Sequence, residues 1–270
     1  MSEGSVLFEI HDGVAVATLN EGERMNPLSA SLQAGLLEVI AHVRTDRSIR
    51  ALVLTARGRG FCSGADLKDF SQRAAQMAPG DSLGRYVGRM MGETGNPVFH
   101  GLRTLPVPVV CAVNGAAAGG GFGLALVGDM VIAARSAFFY LPFVPALGIV
   151  PDFAATWLGA RTVGRARIAG LMLTGRRLSA DKAAEWGLIW DCVDDDRLQE
   201  EAMALATQLA ALPAHAILEA RAMLDAAERN SLEAQLELER QRQAALIDGE
   251  SFAEGMRAFV ERRKPVFRGR

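Results

Sequence analysis

Two glycine-bearing stretches carry the residue types best suited to chemistry. RGRGFCSGADL follows the apolar run ALVLT at residues 51–55, and NGAAAGGGFGLALVGD follows VPVVCAV at residues 107–113. Each leads from a continuously apolar strand toward a helix. At such a junction free backbone N–H groups and the positive end of a helix dipole point outward, which suits phosphate or developing negative charge. Two N–H donors from separate loops can converge on one oxygen and form an oxyanion hole, which stabilises charge on a carbonyl as it develops. Small residues are needed there so that a substrate can reach the main chain, and Ala65 and Gly120 meet that need. A tight strand-to-helix turn also favours glycine, so either loop taken alone has a plain structural explanation.

Other chemistries fit these loops poorly. No Gly-Lys-Ser/Thr follows either one, so neither is a P-loop. Gly119, Gly121 and Gly123 do not fit G-x-G-x-x-G, and no acidic residue stands at the matching distance downstream, which disfavours a dinucleotide fold. Cys62, Cys111 and Cys192 are odd in number and have no metal-ligand or disulfide spacing. The histidines His11, His42, His100 and His215 read as structural or surface residues.

The elements that must position these groups follow from periodicity. Residues 7–10 and 14–19 read as a hairpin turning at Asp12 and Gly13. A helix is expected from about Ser29, with Leu32, Leu36, Val39, Ile40 and Val43 as its apolar stripe. Residues 51–55 and 107–113 are buried strands, and residues 130–133 and 189–193 complete the strand set. The order of strand, loop, helix and strand gives an α/β fold with a layered, mostly parallel sheet. Residues 69–102 combine Gly, Pro and Ser with Met77, Met90 and Met91, a segment that is partly helical and could line an adaptable pocket or fill core gaps. From Arg197 the pattern is helical, with Asn230 before Glu233 and Ser251 before Glu254 as expected N-caps.

With 270 residues, half of them apolar, the chain can bury a sizeable core. A formal net charge of −2 argues against nucleic acid or an anionic membrane as the main partner. The apolar stretch 105–134 is broken by prolines, Asn114 and glycines, so it is not expected to span a membrane. The first ten residues lack the pattern of a secretory signal, and a cytoplasmic location is expected.

Several longer segments resemble one family. FCSGADL resembles the first oxyanion-hole motif of the enoyl-CoA hydratase/isomerase (crotonase) superfamily, and VCAVNGAAAGGGFGLALVGD resembles the second. LGIVPD, LTGRRLSADKAAEWGLIWDCVDDD and EGMRAFVERRKPVF match its later signatures in order, so the likeness spans residues 6–267. It implies a ClpP/crotonase-like α/β fold of repeated β-β-α units over residues 1–196 and a helical oligomerisation region over 197–270. By matching position it implies Ala65 and Gly120 as the oxyanion donors. Arg24, Met25, Ser63, Asp66, Leu67, Lys68 and Gly119 fall where relatives contact the coenzyme A thioester. Phe259 and Arg262 match positions that reach a neighbouring subunit's nucleotide site, in a trimer or a dimer of trimers.

The family pattern breaks at two places. Hydratases of the family carry two glutamates that work on water, and this chain has Gly123 and Val144 at the matching positions. An acid stands in isomerase branches at the position of Asp152, directly after Pro151, which implies an acid–base role, although an aspartate there can also simply cap a helix start. The wording is closest to the 1,2-epoxyphenylacetyl-CoA isomerase branch of phenylacetate degradation, which also lacks both glutamates. The expectation is an acyl-CoA isomerase without metal or cofactor, which shifts a double bond or opens an aryl epoxide with Asp152 as acid and base. Alternatives are an enoyl-CoA hydratase using unusual groups, a hydrolase or dehalogenase with Asp152 as nucleophile, and a non-catalytic acyl-CoA-binding or RNA-associated protein.

Overall fold

A computed structural model of the chain describes residues 4–267. β1 (Val6–His11) and β2 (Val14–Leu19) form the expected antiparallel hairpin. α1 (Ala30–Thr45) starts at Ser29, whose Oγ accepts from Leu32 N at 3.1 Å. Its buried face is the predicted stripe plus one polar member, Gln33.

A strand–strand–helix unit then recurs. The first is β3 (Ala51–Ala56), β4 (Gly60–Cys62) and α2 (Leu67–Ala75). It is followed by α3 (Leu83–Met90), a wider π-type turn at Met91–Gly95, and α4 (Asn96–Arg103). The second is β5 (Val109–Val113), β6 (Ala116–Ala118) and α5 (Gly120–Ala125). The third is β7 (Met130–Ala134), β8 (Phe138–Tyr140) and α6 (Ala155–Thr174). β9 (Leu178–Ser179), α7 (Ala180–Glu185) and β10 (Asp191–Val193) follow, and then α8 (Leu198–Ala210), α9 (Ala214–Ala227), α10 (Leu232–Ile247) and α11 (Glu250–Val260).

Each unit gives one strand to each of two sheets. The larger has the order β1-β2-β3-β5-β7-β10 and is parallel from β2 onward. The smaller has the order β4-β6-β8-β9, with β9 antiparallel. This is the α/β fold of repeated β-β-α units that the motifs imply. The strand set drawn from sequence was incomplete, because the smaller sheet was missed. Its strands have two or three residues each, too short for apolar alternation to show.

Phe61, Phe122 and Phe139 are fully buried, and Phe122 meets Phe139 edge-on at 6.0 Å. Burying one such ring contributes about 2–3 kcal/mol. α8 packs on β2, β3, β5 and β7 and buries Leu198, Ala202 and Ala206, so the core continues past Arg197. α9 is tied down by Arg221, which grips Asp129 at 2.8 and 2.7 Å and donates to Leu105 O at 2.8 Å. α10 buries no residue and α11 buries Ala258 alone.

Two expected caps are corrected. Ser231, not Asn230, caps α10: its Oγ accepts from Ala234 N at 3.3 Å, while Asn230 donates to Gln235 Oε1 at 2.9 Å. Ser251 lies inside α11, which begins after Gly249, and Glu254 turns instead to Arg263 at 2.6 Å. No single helix among the described residues is long and apolar enough to cross a membrane.

Candidate active site

The two glycine loops meet because the smaller sheet delivers both to one edge. β4 and β6 pair in parallel, so the chain leaves each in the same direction. Gly64 sits between them with φ 87°, and a Cβ there would lie 2.7 Å from Ala118 O and 3.0 Å from Gly120 N. The loops therefore touch main chain to main chain, an approach that admits glycine alone. Segment 25–28 clamps the first loop: Ser63 N donates to Met25 O at 2.9 Å, and Leu28 N donates to Gly64 O at 2.8 Å. Buried Asn26 fixes that clamp, its Nδ2 donating to Arg57 O at 2.9 Å and to Gly60 O at 2.8 Å. The amides of Ala65 and Gly120 donate to no group among the described residues.

Both border a cavity of about 420 Å³. Leu67, Phe70, Val87, Met90 and Met91 form its apolar side, with Ile149 also in the lining and the Phe143 and Phe153 rings beside Gly119 and Gly120. Asp152 lines it as well and, among the described residues, is the one titratable side chain that does. Its Oδ1 is buried without a hydrogen-bond partner and lies 3.3 Å from where a Cβ on Gly120 would stand. Burial without a compensating cation pushes the carboxyl up to about 6, against a smaller lowering by its own backbone N–H.

Asp152 is not a helix cap. The N-cap position of α6 is Ala154, two residues later, and no side chain caps the helix. Phe153 and Ala154 instead take left-handed backbone, φ 47° and 56°, which costs roughly 1–2 kcal/mol per residue. Two contacts hold this turn. The Phe153 ring is buried and meets Phe99 edge-on at 6.4 Å. Its carbonyl lies against Gly123, where a Cβ would come within 1.9 Å. The main chain that bends Asp152 into the cavity thus packs directly on Gly123, the position that the family likeness matches to a hydratase glutamate. Val144 does not line the cavity either.

Of the residues singled out in sequence, Ser63, Ala65, Leu67, Gly119, Gly120 and Asp152 line the cavity. Arg24 is exposed and paired with Asp66 and, at 3.4 Å, with Glu21. Asp66 also caps α2, accepting from Asp69 N at 3.3 Å. Lys68 is exposed beside Leu67. The Met25 side chain packs on Gly60 rather than into the cavity. Phe259 and Arg262 lie at the end of α11, away from this cavity, with Phe259 83 % exposed. Met90 and Met91 line the cavity, but Met77 does not.

Sequence reasoning missed Gln33, which borders the cavity and is 1 % exposed. A polar side chain next to Leu32 on the buried face of α1 was the available signal, since buried polar groups need partners. A second cavity, of about 590 Å³, lies among Glu250, Glu254, Arg257 and Arg263. Glu254, Arg257 and Arg263 satisfy one another: Arg257 donates to Glu254 at 3.2 Å, and Arg263 donates to both Glu254 oxygens, at 2.6 and 3.1 Å, and holds that carboxyl down at about 2. Groups paired in this way are poorly placed for proton transfer.

Residues 9–270 match the enoyl-CoA hydratase/isomerase family. The chain belongs to that family. It is 44 % identical over 265 residues to the 1,2-epoxyphenylacetyl-CoA isomerase of Escherichia coli (strain K12), covering 98 % of each chain. It is 39 % identical over 270 residues to a probable enoyl-CoA hydratase of Rhodobacter capsulatus, covering all of both. The crystal structure of an enoyl-CoA hydratase/isomerase from Cupriavidus metallidurans superposes with a TM-score of 0.87 at 30 % identity, over 100 % of this chain and 98 % of that one. Members of the enoyl-CoA hydratase/isomerase family thus share its whole fold while bearing different activity names.

Proposed function

We propose that this enzyme is an acyl-CoA isomerase that works through a thioester enolate. The carrying observation is that, among the described residues, Asp152 is the sole titratable side chain lining a cavity that also presents two unpartnered amides. The amides of Ala65 and Gly120 take up the charge that grows on the thioester oxygen, which makes the α-proton acidic enough to remove. Asp152 accepts a proton at one carbon and returns it at another, or to an epoxide oxygen as the C–O bond opens. Its carboxyl near 6 is ionised at neutral pH, yet basic enough for this work. One acid–base group suffices because no water is added, and the proton transfer calls for no metal or cofactor. An aryl epoxide is a candidate substrate by likeness to the Escherichia coli relative.

Arg24 and Lys68, exposed beside the first loop, meet the coenzyme A phosphates in this reading. The apolar surface left on α9–α11, including Leu224, Leu232 and Phe259, supports a homo-oligomer, a trimer or dimer of trimers, in which Phe259 and Arg262 reach the neighbour's nucleotide site. A cytoplasmic enzyme without nucleic-acid or membrane partners completes the proposal.

The test is incubation with crotonyl-CoA, a 3-enoyl-CoA and an aryl-epoxide CoA, followed by mass measurement and product chromatography. Isomerisation changes retention at constant mass. Gain of water from crotonyl-CoA would instead support the hydratase activity that the Rhodobacter relative's name suggests.

A further inference from the structure

The acyl side of the cavity holds one polar group that the proton transfer does not use. Gln33 Nε2 donates to Leu28 O at 2.7 Å, which fixes the orientation of the amide. Oε1 is then buried with no partner, on a side chain that is 1 % exposed and borders the cavity. Apart from Gln33, only Ser63 and Asp152 among the described residues bring side-chain nitrogen or oxygen to the lining.

The Phe153 ring relates Gln33 to Asp152. Its Cδ2 is 3.5 Å from a Cβ built on Gly120, a point 3.3 Å from Asp152 Oδ1. Its Cε2, the next atom on the same edge, is 3.2 Å from a Cβ built on Gly95, a point 3.6 Å from Gln33 Oε1. An acyl group with its α-carbon at Asp152 can extend along this ring edge toward Gln33. An apolar group that excludes solvent there leaves Oε1 desolvated and empty, whereas a hydrogen-bond donor satisfies it.

We propose that Gln33 sets substrate specificity by accepting a hydrogen bond from a hydroxyl on the acyl group, beyond the carbon that faces Asp152. This rests on the reading of the cavity as an acyl-CoA site. The substrate class is then hydroxylated acyl-CoA thioesters. An epoxide oxygen is itself an acceptor and cannot satisfy Oε1, so an aryl epoxide would need a separate hydroxyl to engage Gln33. Sites built around a buried polar group reject analogues that lack its partner more strongly than apolar pockets reject a missing methylene.

The test is calorimetric titration of the purified protein with phenylacetyl-CoA, its ring-hydroxylated counterparts and ring-fluorinated size controls. At least one hydroxylated ligand should bind about 10- to 100-fold more tightly than the parent and the fluorinated forms. Gln33→Met, checked for folding by thermal melting, should bring those affinities to within about threefold of one another. Equal binding of all ligands by the wild-type protein overturns the role of Gln33 and leaves the acyl-CoA site standing. A preference that survives in Gln33→Met does the same. Absence of binding by every thioester overturns both.

Discussion

The two sides of the cavity are built from different material. The loop side is main chain: Ala65 and Gly120 offer amides, and neighbouring backbone comes within contact distance. The facing side is side chain: Leu67, Phe70, Val87, Met90 and Met91 project from α2, α3 and the turn after it, and α2 and α3 bury no residue of their own. Main-chain donors cannot be exchanged by substitution, and their spacing is set by two sheets packed at core density. Side chains on exposed helices can change at little cost to the fold. The loop side therefore suits chemistry common to a family, and the helical side suits the choice of acyl group.

Asp152 belongs functionally to the first side, and its loss should have the largest effect. Asp152→Asn keeps the shape but cannot accept a proton, so turnover should fall by roughly 10²- to 10⁴-fold with ligand binding retained. In the wild type, kcat/KM should fall about tenfold per pH unit as the pH drops below about 6, because the base is then protonated. The stability effect has the opposite sense. The folded carboxyl, raised from 3.8 to about 6, holds its proton more tightly than the unfolded chain does. The fold thus gains stability as the pH falls through that window and bears the cost of the buried charge above it. Asp152→Asn should be more stable than wild type by about 1–2 kcal/mol at neutral pH, a gain that disappears below pH about 4 in thermal melts. A variant turning over at the wild-type rate would show that the proton moves through another group.

Gly123→Ala tests whether main-chain contact holds Asp152 in place. Its Cβ would stand 1.9 Å from Phe153 O, so the left-handed turn at Phe153 and Ala154 must shift. Overpacking of this kind costs about 1–3 kcal/mol. A displaced base should reduce kcat by about 10- to 100-fold, with a smaller change in KM. Full activity in a folded Gly123→Ala protein would mean that the turn accommodates the methyl elsewhere and that Gly123 does not position Asp152.

How far each side was legible in sequence follows the same division. The loop side was readable because its constraints are local: close approach demands glycine, and the motifs sit where long apolar strands end. The hairpin, α1 and the long strands carried strong periodic signals. The smaller sheet did not, since three-residue strands such as Ala116–Ala118 have no periodicity to read. The place of Asp152 in the cavity came from the family likeness. Its physical cause, the contact of Phe153 O with Gly123, joins residues 30 positions apart and is invisible before folding. On the helical side composition suggested an adaptable lining, which Met90 and Met91 form. Yet nothing in sequence separated them from Met77, because that depends on how α3 runs into the π-type turn.

Met90→Ala and Met91→Ala should therefore act on substrate choice and not on chemistry. Each removes apolar contact made equally in ground and transition states, so KM for a bulky acyl-CoA should rise about 3- to 10-fold with kcat nearly unchanged. Steady-state kinetics with short and bulky thioesters separates the two parameters. A drop in kcat without a change in KM would move these residues to the chemical side of the comparison.

Cys62 should give the smallest effect, although it lies in the first loop motif. Its thiol is fully buried, and burial pushes its pKa up to about 12, so it is protonated throughout the working range and is no nucleophile. The carbonyl of Cys62 matters more, because it packs where a Cβ on Gly121 would come within 2.1 Å, and a substitution of the side chain leaves that contact in place. The sulfur faces the Gly64 amide, so Cys62→Ala leaves a small gap beside the loop. The expected cost is about 1 kcal/mol of stability and less than about threefold in kcat. Cys62→Ser, whose oxygen can still accept from that amide, should recover part of any loss. A fall of several orders of magnitude in a folded Cys62→Ala protein would make the thiol a participant, and the loop would then act through more than its main chain.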